Sequence, residues 1–321
     1  MPPRCLLLGL LAWLPLGALS AEPADARVDV SDPKAYHDVQ AAISAAPPKR
    51  AGGKRWVIDV APGVYAERVR IPREAGPILL RGAGADRTKI ALARNANDLD
   101  SAGRPIGTFE SSVFRVEADA FEAQGLTIEN ASTKVGQAVA VRLDGDRLIF
   151  RQCTLLGRQD TLLVNRGRHY FERCAIAGTV DFIFGSATAY FDRCEIRVLG
   201  KGYIAAPSTP LEQPLGLVFV DCDVGLQAER EVQAYLARPW REHGAALYLR
   251  CRLGACIRKE GWDNWRSPER EKTARFQEAE STGPGAELAA RVKWAKPIVG
   301  TAGITPAKVL GGSDGWDPTT R

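Results

Sequence analysis

Phe150-Arg151-Gln152-Cys153-Thr154-Leu155 is one copy of a six-residue block that recurs along the chain. Every copy alternates apolar and polar residues, so each is predicted to form a β-strand with one buried face. The related copies are Phe121–Leu126 (with Gln124 in the cysteine position), Phe171–Ile176, Phe191–Ile196, Phe219–Val224 and Tyr248–Leu253. Successive fourth positions are 29, 21, 20, 28 and 29 residues apart.

Strands that return every 20 to 30 residues, separated by glycine and asparagine, are typical of a solenoid. The intervals suit a parallel β-helix, in which each coil contains several short strands joined by turns. Leucine-rich repeats share this period, but their leucine and asparagine signature is missing. The predicted fold class is therefore all-β, a parallel β-helix.

Composition is that of an ordinary folded protein. The chain has 321 residues, of which 45% are apolar and 25% charged, with a net charge of +5. These values exclude a disordered, collagenous or disulfide-dense protein. The charge is too small and too dispersed to indicate a nucleic-acid partner, but it is compatible with an acidic ligand.

Residues 1–20 resemble a secretory signal peptide. Arg4 precedes an apolar stretch from Cys5 to Leu19, and Ala18-Leu19-Ser20 supplies small residues at the cleavage position. A later cut after Ala26 also fits. Because later segments are too short to be transmembrane helices, we expect a secreted or periplasmic protein without a membrane contact in its mature form.

The cysteines are expected to form one inward column of small buried side chains. A zinc site is not expected, because the sequence has no CxxC pair and its three histidines are scattered. Adjacent coils lie ~4.8 Å apart, which is within disulfide range, and Cys174 and Cys194 are the best candidates for one bond.

Short helices are predicted to cap the ends of the coil. Tyr36, Val39 and Ile43 have helical spacing and precede two prolines, and Ser267-Pro268 is a helix-start signal near the other end. A helix over the first coil would cover its open edge. We find no linker that divides residues 21–321, so one domain is expected.

Two aspartates occupy equivalent positions in successive repeats. Asp160 and Asp181 each lie seven residues after the cysteine of their block, so their backbones should be ~4.8 Å apart on adjacent coils. Two such carboxylates cannot both ionise cheaply, so one pKa should rise while the other stays low, as in an acid paired with a nucleophile. The alternative is that each aspartate merely caps a turn.

Five short motifs occur in order along the chain: Gly63–Glu67 (GVYAE), Gly136–Ala140 (GQAVA), Gln159–Leu162 (QDTL), Asp181–Gly185 (DFIFG) and Leu236–Trp240 (LARPW). Together they resemble the motifs of the pectin methylesterases, which are carbohydrate esterases. Weaker likeness extends from Tyr36 to Val299. The resemblance implies a right-handed parallel β-helix and an esterase that needs neither cofactor nor metal. Its implied partner is methyl-esterified homogalacturonan (pectin), and we expect a monomer.

The resemblance also implies a role for each polar residue of these motifs. Asp181 would attack the C6 carbonyl of a methyl-esterified galacturonate, and Asp160 would protonate methanol and then activate water. Gln137 and Gln159 would donate hydrogen bonds to the oxyanion. Arg238 would orient Asp181 and keep it ionised.

Aromatic residues are the expected sugar contacts. Trp240 is expected to present its face to a sugar ring, with Trp262 and Phe184 as further candidates. The chain departs from the family pattern at Ala237, where glycine is usual, and at Leu163, where an aromatic residue is common. These departures bear on substrate preference rather than on the proposed chemistry.

Three other functions remain open. A metal-dependent pectate lyase would share the fold, but it needs clustered carboxylates for calcium. A second alternative is an inactive β-helix that only binds carbohydrate, or an esterase for thioesters or another ester. A serine esterase would need a G-x-S-x-G-type elbow, and we expect none in this sequence.

Overall fold

The repeats build a coil with three faces, in which equivalent strands of successive turns pair in parallel. The structure is a computed structural model that describes residues 22–48, 54–228, 231–296, 298 and 300–320. The predicted signal peptide, residues 1–20, lies outside these ranges, whereas the alternative cut after Ala26 falls at a described residue.

The first face is one continuous sheet of ten strands. In order, these are β1 Ala26–Val28, β2 Trp56–Val60, β5 Ile78–Gly82, β8 Glu122–Gln124, β11 Leu148–Arg151, β14 Arg168–Glu172, β16 Thr188–Asp192, β18 Leu217–Val220, β21 Ala245–Leu249 and β23 Arg275–Ala279.

Two long strands, β15 (Ala175–Gly185) and β17 (Glu195–Pro207), run along both of the remaining faces. The second face contains β3 Gly63–Tyr65, β6 Thr88–Leu92, β9 Thr127–Asn130, β12 Thr154–Leu156, the first parts of β15 and β17, β19 Asp223–Leu226 and β22 Arg252–Leu253. The third contains β4 Val69–Ile71, β7 Phe114–Val116, β10 Val141–Leu143, β13 Leu162–Val164, the second parts of β15 and β17, and β20 Ala234–Ala237. The predicted all-β right-handed parallel β-helix is confirmed.

Each six-residue block spans a corner rather than a single strand, so that detail of the prediction was wrong. The residue before each cysteine has a left-handed backbone, which bends the chain from the first face to the second. These residues are Gln152, Arg173, Arg193, Asp221 and Arg250, with φ between 49° and 54°. The period-two alternation is interrupted at the corner, because Arg151 and the left-handed Gln152 both face outward between the inward Phe150 and Cys153.

The interior is filled by columns of identical or similar side chains. Phe171 and Phe191 stack with ring centroids 4.7 Å apart, and Phe219 continues the column at 4.6 Å. The block cysteines form a second buried column, as predicted. Such stacking gives every coil the same inward side chains, and this is why the repeat is visible in the sequence.

The proposed disulfide between Cys174 and Cys194 is not formed. Both cysteines are free and fully buried, as is the neighbouring Cys153. The thiol of Cys174 donates to the carbonyl of Phe150 at 3.4 Å, and that of Cys194 donates to Phe171 at 3.4 Å. Each thiol therefore has a hydrogen-bond acceptor on the preceding coil.

The N-terminal coil is covered by the expected helix, α1 (Val39–Ser44), which buries Val39, Ala42 and Ile43, but Tyr36 of the predicted pattern precedes the helix and is 38% exposed. The helix expected at Ser267-Pro268 is α3 (Pro268–Thr273), but none of its residues is buried. Other short helices are α2 (Gly107–Glu110), α4 (Pro306–Leu310) and a 3-10 turn at Leu288–Ala290. Val292, Trp294 and Ala295, rather than α3, pack against the core after the last coil.

Candidate active site

Asp160 and Asp181 occupy the same station on adjacent coils, where the second face turns into the third. The pairing of Leu162 with Ile183 has the same 21-residue offset as the two aspartates. The backbone N–H of Asp160 donates to the carbonyl of Val180 at 3.0 Å. The two side chains are therefore neighbours along the coil axis, ~4.8 Å apart at the backbone.

Both aspartates have left-handed backbones, with φ of 65° at Asp160 and 51° at Asp181. Aspartate tolerates this conformation better than most residues, and β-sheet register shifts flank Asp181 in β15. The alternative that each aspartate is a turn residue is thus correct for the backbone. The side chains nevertheless line one open cavity, so they point toward solvent in the cavity and do not cap the turn.

Burial dominates the electrostatics of Asp160. Its residue is 8% exposed. Loss of solvent, followed by the charge of Asp181, raises the pKa of Asp160 to about 8, although the charge of Arg238 opposes this. The prediction that one carboxyl of the pair has a raised pKa agrees with this result, and Asp160 carries a proton at neutral pH.

Asp181 has a different partner. Arg238 donates from Nε to Oδ1 at 2.8 Å and from Nη2 to Oδ2 at 2.6 Å, which is a bidentate arrangement. Arg238 follows β20 directly, so its side chain reaches back across β17 to the carboxylate on β15. This span needs a long side chain with a planar head.

The expectation that the pKa of Asp181 stays low was not met. Desolvation raises the pKa of Asp181 above its usual value, while the hydrogen bonds and charge of Arg238 lower it and the charge of Asp263 raises it. Asp181 is itself 6% exposed, and the equal spacing of the two aspartates in the sequence does not predict this burial. The pair is still asymmetric, because Arg238 contacts only Asp181 directly.

Gln137 and Gln159 lie beside the aspartates and also line the cavity. They form a parallel bridge on neighbouring coils, and the N–H of Ala138 donates to the carbonyl of Gln159 at 3.1 Å. Their side chains are half-buried. Two amide donors therefore stand one coil apart, next to a protonated and an arginine-bound carboxyl.

The cavity has a volume of about 590 Å³ and is open to solvent. Phe184 and Trp240 line it, as predicted, with ring centroids 5.7 Å apart in an edge-on arrangement. The segment from Ile106 to Glu110, which includes α2, forms another part of the rim. Sequence reasoning missed this rim, because the segment belongs to a loop between β6 and β7 without a repeat or motif.

Trp262 does not belong to the site. It is 2% exposed and packs in the core between Tyr248 and Phe276. Trp265 lines the cavity instead, with its ring 3.8 Å from the guanidinium carbon of Arg238. The sequence offered two tryptophans three residues apart and no signal to choose between them. In the structure, the β-bridge between Ala237 and Trp262 directs Trp262 inward.

The two departures from the family pattern lie beneath the cavity. Ala237 is fully buried in β20 and Leu163 is fully buried beside Phe184, so neither presents a surface to a ligand. Glu67 of the first motif accepts hydrogen bonds from the N–H groups of Val39 and Gln40 at 2.7 and 2.9 Å. That motif therefore caps α1 and is remote from the aspartates.

One expectation about sequence pattern was wrong. Gly311-Gly312-Ser313-Asp314-Gly315 matches G-x-S-x-G. It is a turn that follows α4, however, and does not join a strand to a helix, and Ser313 is exposed. Within the described ranges, no cluster of three or more histidine, cysteine, aspartate or glutamate side chains is arranged to hold a metal ion.

Comparison with known proteins gives a consistent family. A profile described as Pectinesterase matches residues 25–305. Pectinesterase QRT1 of Arabidopsis thaliana is 36% identical over 270 residues, covering 81% of this chain and 70% of its own length. Pectinesterase 31 of the same plant is also 36% identical, covering 82% of this chain and 84% of its own.

Solved structures agree with the sequence comparison. The pectin methylesterase of Erwinia chrysanthemi superposes with a TM-score of 0.81 at 32% identity, covering 94% of this chain and all of its own. That of carrot gives a TM-score of 0.84 at 29% identity, covering 92% of this chain and 96% of its own. A pectin methylesterase in complex with a hexasaccharide gives a TM-score of 0.82 at 32% identity, covering 94% of this chain and 100% of its own.

Proposed function

The chain belongs to the pectinesterase family, and on that premise we propose that Asp181 is its nucleophile and Asp160 its general acid and base. The reaction is hydrolysis of the C6 methyl esters of galacturonate in pectin, which gives pectate and methanol. The observation that supports these roles is the asymmetric pair: a carboxyl with a pKa of about 8 lies one coil from a carboxylate held by a bidentate arginine.

In the first half-reaction, an oxygen of Asp181 forms a bond to the ester carbonyl carbon. The carbonyl oxygen becomes negative, and the amides of Gln137 and Gln159 donate hydrogen bonds to it. When the carbon–methoxy bond breaks, Asp160 gives its proton to the methoxy oxygen and methanol leaves. The product is a mixed anhydride between Asp181 and the galacturonate.

In the second half-reaction, Asp160 is the carboxylate and takes a proton from water. The resulting hydroxide attacks the galacturonate carbonyl of the anhydride, and the bond to Asp181 breaks. Asp181 leaves as a carboxylate that Arg238 stabilises, and Asp160 is again protonated. The proton balance closes over the two steps without a cofactor or metal.

The proposed substrate is a methyl-esterified homogalacturonan. A related pectin methylesterase has been solved with a hexasaccharide, which supports a polymeric sugar ligand for this cavity. Trp240 offers apolar ring surface to a sugar at the open cavity, whereas Phe184 lines the cavity but is only 4% exposed. Trp265 takes the place proposed earlier for Trp262.

Assay of methanol and of unsaturated sugar in the same sample tests the reaction class. With methylated pectin, we expect methanol without the absorbance of an unsaturated product. Absorbance without methanol would establish a lyase instead, and neither product would favour a protein that only binds carbohydrate. Activity on a thioester but not on pectin would point to the other esterase reading.

The nucleophile is tested by Asp181→Ala, which should lower methanol release by about 10⁴-fold or more. Asp221→Ala is the matched control, because Asp221 also has a left-handed backbone and a bidentate arginine but lies on the outer surface. Both variants carry similar backbone strain, so the control should keep normal turnover. Near-normal turnover of Asp181→Ala would refute the assignment.

We also propose that residues 1–20 direct export and are removed. Within the described ranges, no helix has the length and apolar character needed to cross a bilayer. N-terminal sequencing of the protein recovered from the periplasm or medium should give Ala21. Retention of Met1 in the exported protein would contradict cleavage, and a start at Arg27 would support the later cut.

A further inference from the structure

Arg238 has aromatic rings against both faces of its guanidinium group. The guanidinium carbon lies 3.7 Å from the ring centroid of Tyr203 and 3.8 Å from that of Trp265. Two rings cannot occupy one face at such distances, so the guanidinium lies between them. Its edge is left free to make the two hydrogen bonds to Asp181.

The two rings differ in what else they contact. Trp265 lines the cavity, so it is placed to touch substrate as well as Arg238. The residues lining the cavity do not include Tyr203. Tyr203 belongs to β17, the strand between β20, which Arg238 directly follows, and β15, which contains Asp181. The Tyr203 ring therefore packs against the Arg238 side chain where that side chain crosses the intervening coil.

Tyr203 is itself held from behind. Tyr235 occupies the paired position on the next coil, and the two rings stack with centroids 5.4 Å apart and an angle of 11° between their planes. Arg258 lies over Tyr235, with 4.9 Å from its guanidinium carbon to the ring centroid. The ring beneath Arg238 is thus backed by a second ring that does not contact Arg238.

We propose that Tyr203 is a positioning residue, which fixes the plane of the Arg238 guanidinium so that both of its hydrogen bonds reach Asp181. A guanidinium has five N–H donors in one plane and none on its faces, so aromatic rings restrict its rotation without competing for those donors. The flat ring supports that plane in a way that an aliphatic side chain does not. This inference rests on the proposed roles of Asp181 and Arg238.

The test is Tyr203→Leu, assayed for methanol release over a range of pH. A cation–π contact of this kind corresponds to about a 5- to 30-fold fall in kcat, with KM within about twofold of wild type. Asp181 must be ionised to attack, and a poorly aligned Arg238 stabilises its carboxylate less. The acidic limb of the kcat/KM profile should therefore move to higher pH.

Three further variants separate positioning from general packing. Tyr203→Phe keeps the ring and should restore turnover and the pH profile. Tyr235→Leu removes the backing ring of the same column and should change kcat by less than about threefold, because it does not contact Arg238. Tyr203→Met, whose unbranched side chain fills irregular space, is the substitute if Tyr203→Leu does not fold.

A double-mutant cycle with Arg238→Ala distinguishes the failure of this inference from the failure of the proposed mechanism. Tyr203→Leu should cause no further loss in the Arg238→Ala background. If Arg238→Ala itself turns over normally, the proposed role of Arg238 fails. If Arg238→Ala is impaired while Tyr203→Leu and Tyr203→Met match wild type, only the positioning role fails. The positioning role would also be overturned if Tyr235→Leu lowered kcat as much as Tyr203→Leu does. A raised KM with unchanged kcat in Tyr203→Leu would overturn it too.

Discussion

Two aspartate–arginine pairs in this molecule share nearly every local feature except their surroundings. Asp181–Arg238 and Asp221–Arg250 are both bidentate, and φ is 51° at Asp181 and 54° at Asp221. The side chains of the first pair are 9% and 19% exposed, whereas those of the second are 43% and 41% exposed. The first pair borders the cavity, and the second lies at an outer corner of the coil.

This difference shows that the ion pair alone does not make a nucleophile. An exposed pair is solvated and screened, and it contributes about 0–1 kcal/mol to stability. Asp181 is buried and has Asp160 at the same station of the preceding coil, so the charges act on each other through a medium that screens them poorly. Burial raises the pKa of both carboxyls, and the two direct hydrogen bonds from Arg238 lower that of Asp181 alone, so the two carboxyls in one cavity differ.

After loss of the nucleophile in Asp181→Ala, the largest expected effect comes from removing the second carboxyl. Asp160→Asn should lower kcat/KM by about 10²- to 10⁴-fold, because the amide cannot supply a proton to the departing methoxy oxygen. The fall in wild-type activity above about pH 8, where Asp160 loses its proton, should disappear from the residual profile. Asp192→Asn is the control: Asp192 is equally buried, at 7% exposed, but it is bonded to Tyr170 away from the cavity. Normal turnover of Asp160→Asn would remove Asp160 from the mechanism.

The next effect separates the two arginines. Arg238→Ala should lower kcat by about 10²-fold, because Asp181 loses both hydrogen bonds and its pKa rises further. Arg250→Ala should leave kcat unchanged and alter stability by no more than about 0.5 kcal/mol. Methanol release and thermal unfolding of both variants provide the measurements. Similar losses of activity in the two variants would mean that burial does not distinguish the pairs.

The smallest effect is on stability. Asp160 has a folded pKa of about 8, above its usual value, so the folded state binds a proton more tightly than the unfolded state. Its contribution is fully present below about pH 4 and is lost as pH rises through 8. Asp160→Asn, which stays neutral, should therefore be more stable than wild type by about 1–2 kcal/mol at pH 9 and no more stable at pH 4. Denaturant unfolding at the two pH values decides this, and an equal difference at both would contradict it.

Much of the fold could be predicted because the coil repeats. The blocks around Cys153 and Cys174 recur in register, and equal offsets place Asp160 and Asp181 together without any knowledge of distances. The backbone conformation at the corners could not be predicted from the sequence. Nothing in the residue type at Arg173 indicates a left-handed backbone, which the tertiary structure imposes.

The remainder of the site depends on segments outside the repeat. Trp262 and Trp265 are the same residue type in one loop, and only the pairing with Ala237 on the neighbouring coil decides which of them is buried. The rim at Thr108 and Phe109 comes from an irregular connection that no periodicity describes. Burial of Asp181 is likewise a property of several coils together.

Carbon-13 NMR of aspartate carboxyls, with Asp160 assigned by its loss in Asp160→Asn, measures the claim on which the mechanism depends. A carboxyl titrating near pH 8 in wild type, and at lower pH once Asp181→Asn removes the neighbouring charge, is the predicted result. A wild-type Asp160 that titrates near pH 4, or one that is indifferent to Asp181→Asn, would contradict it.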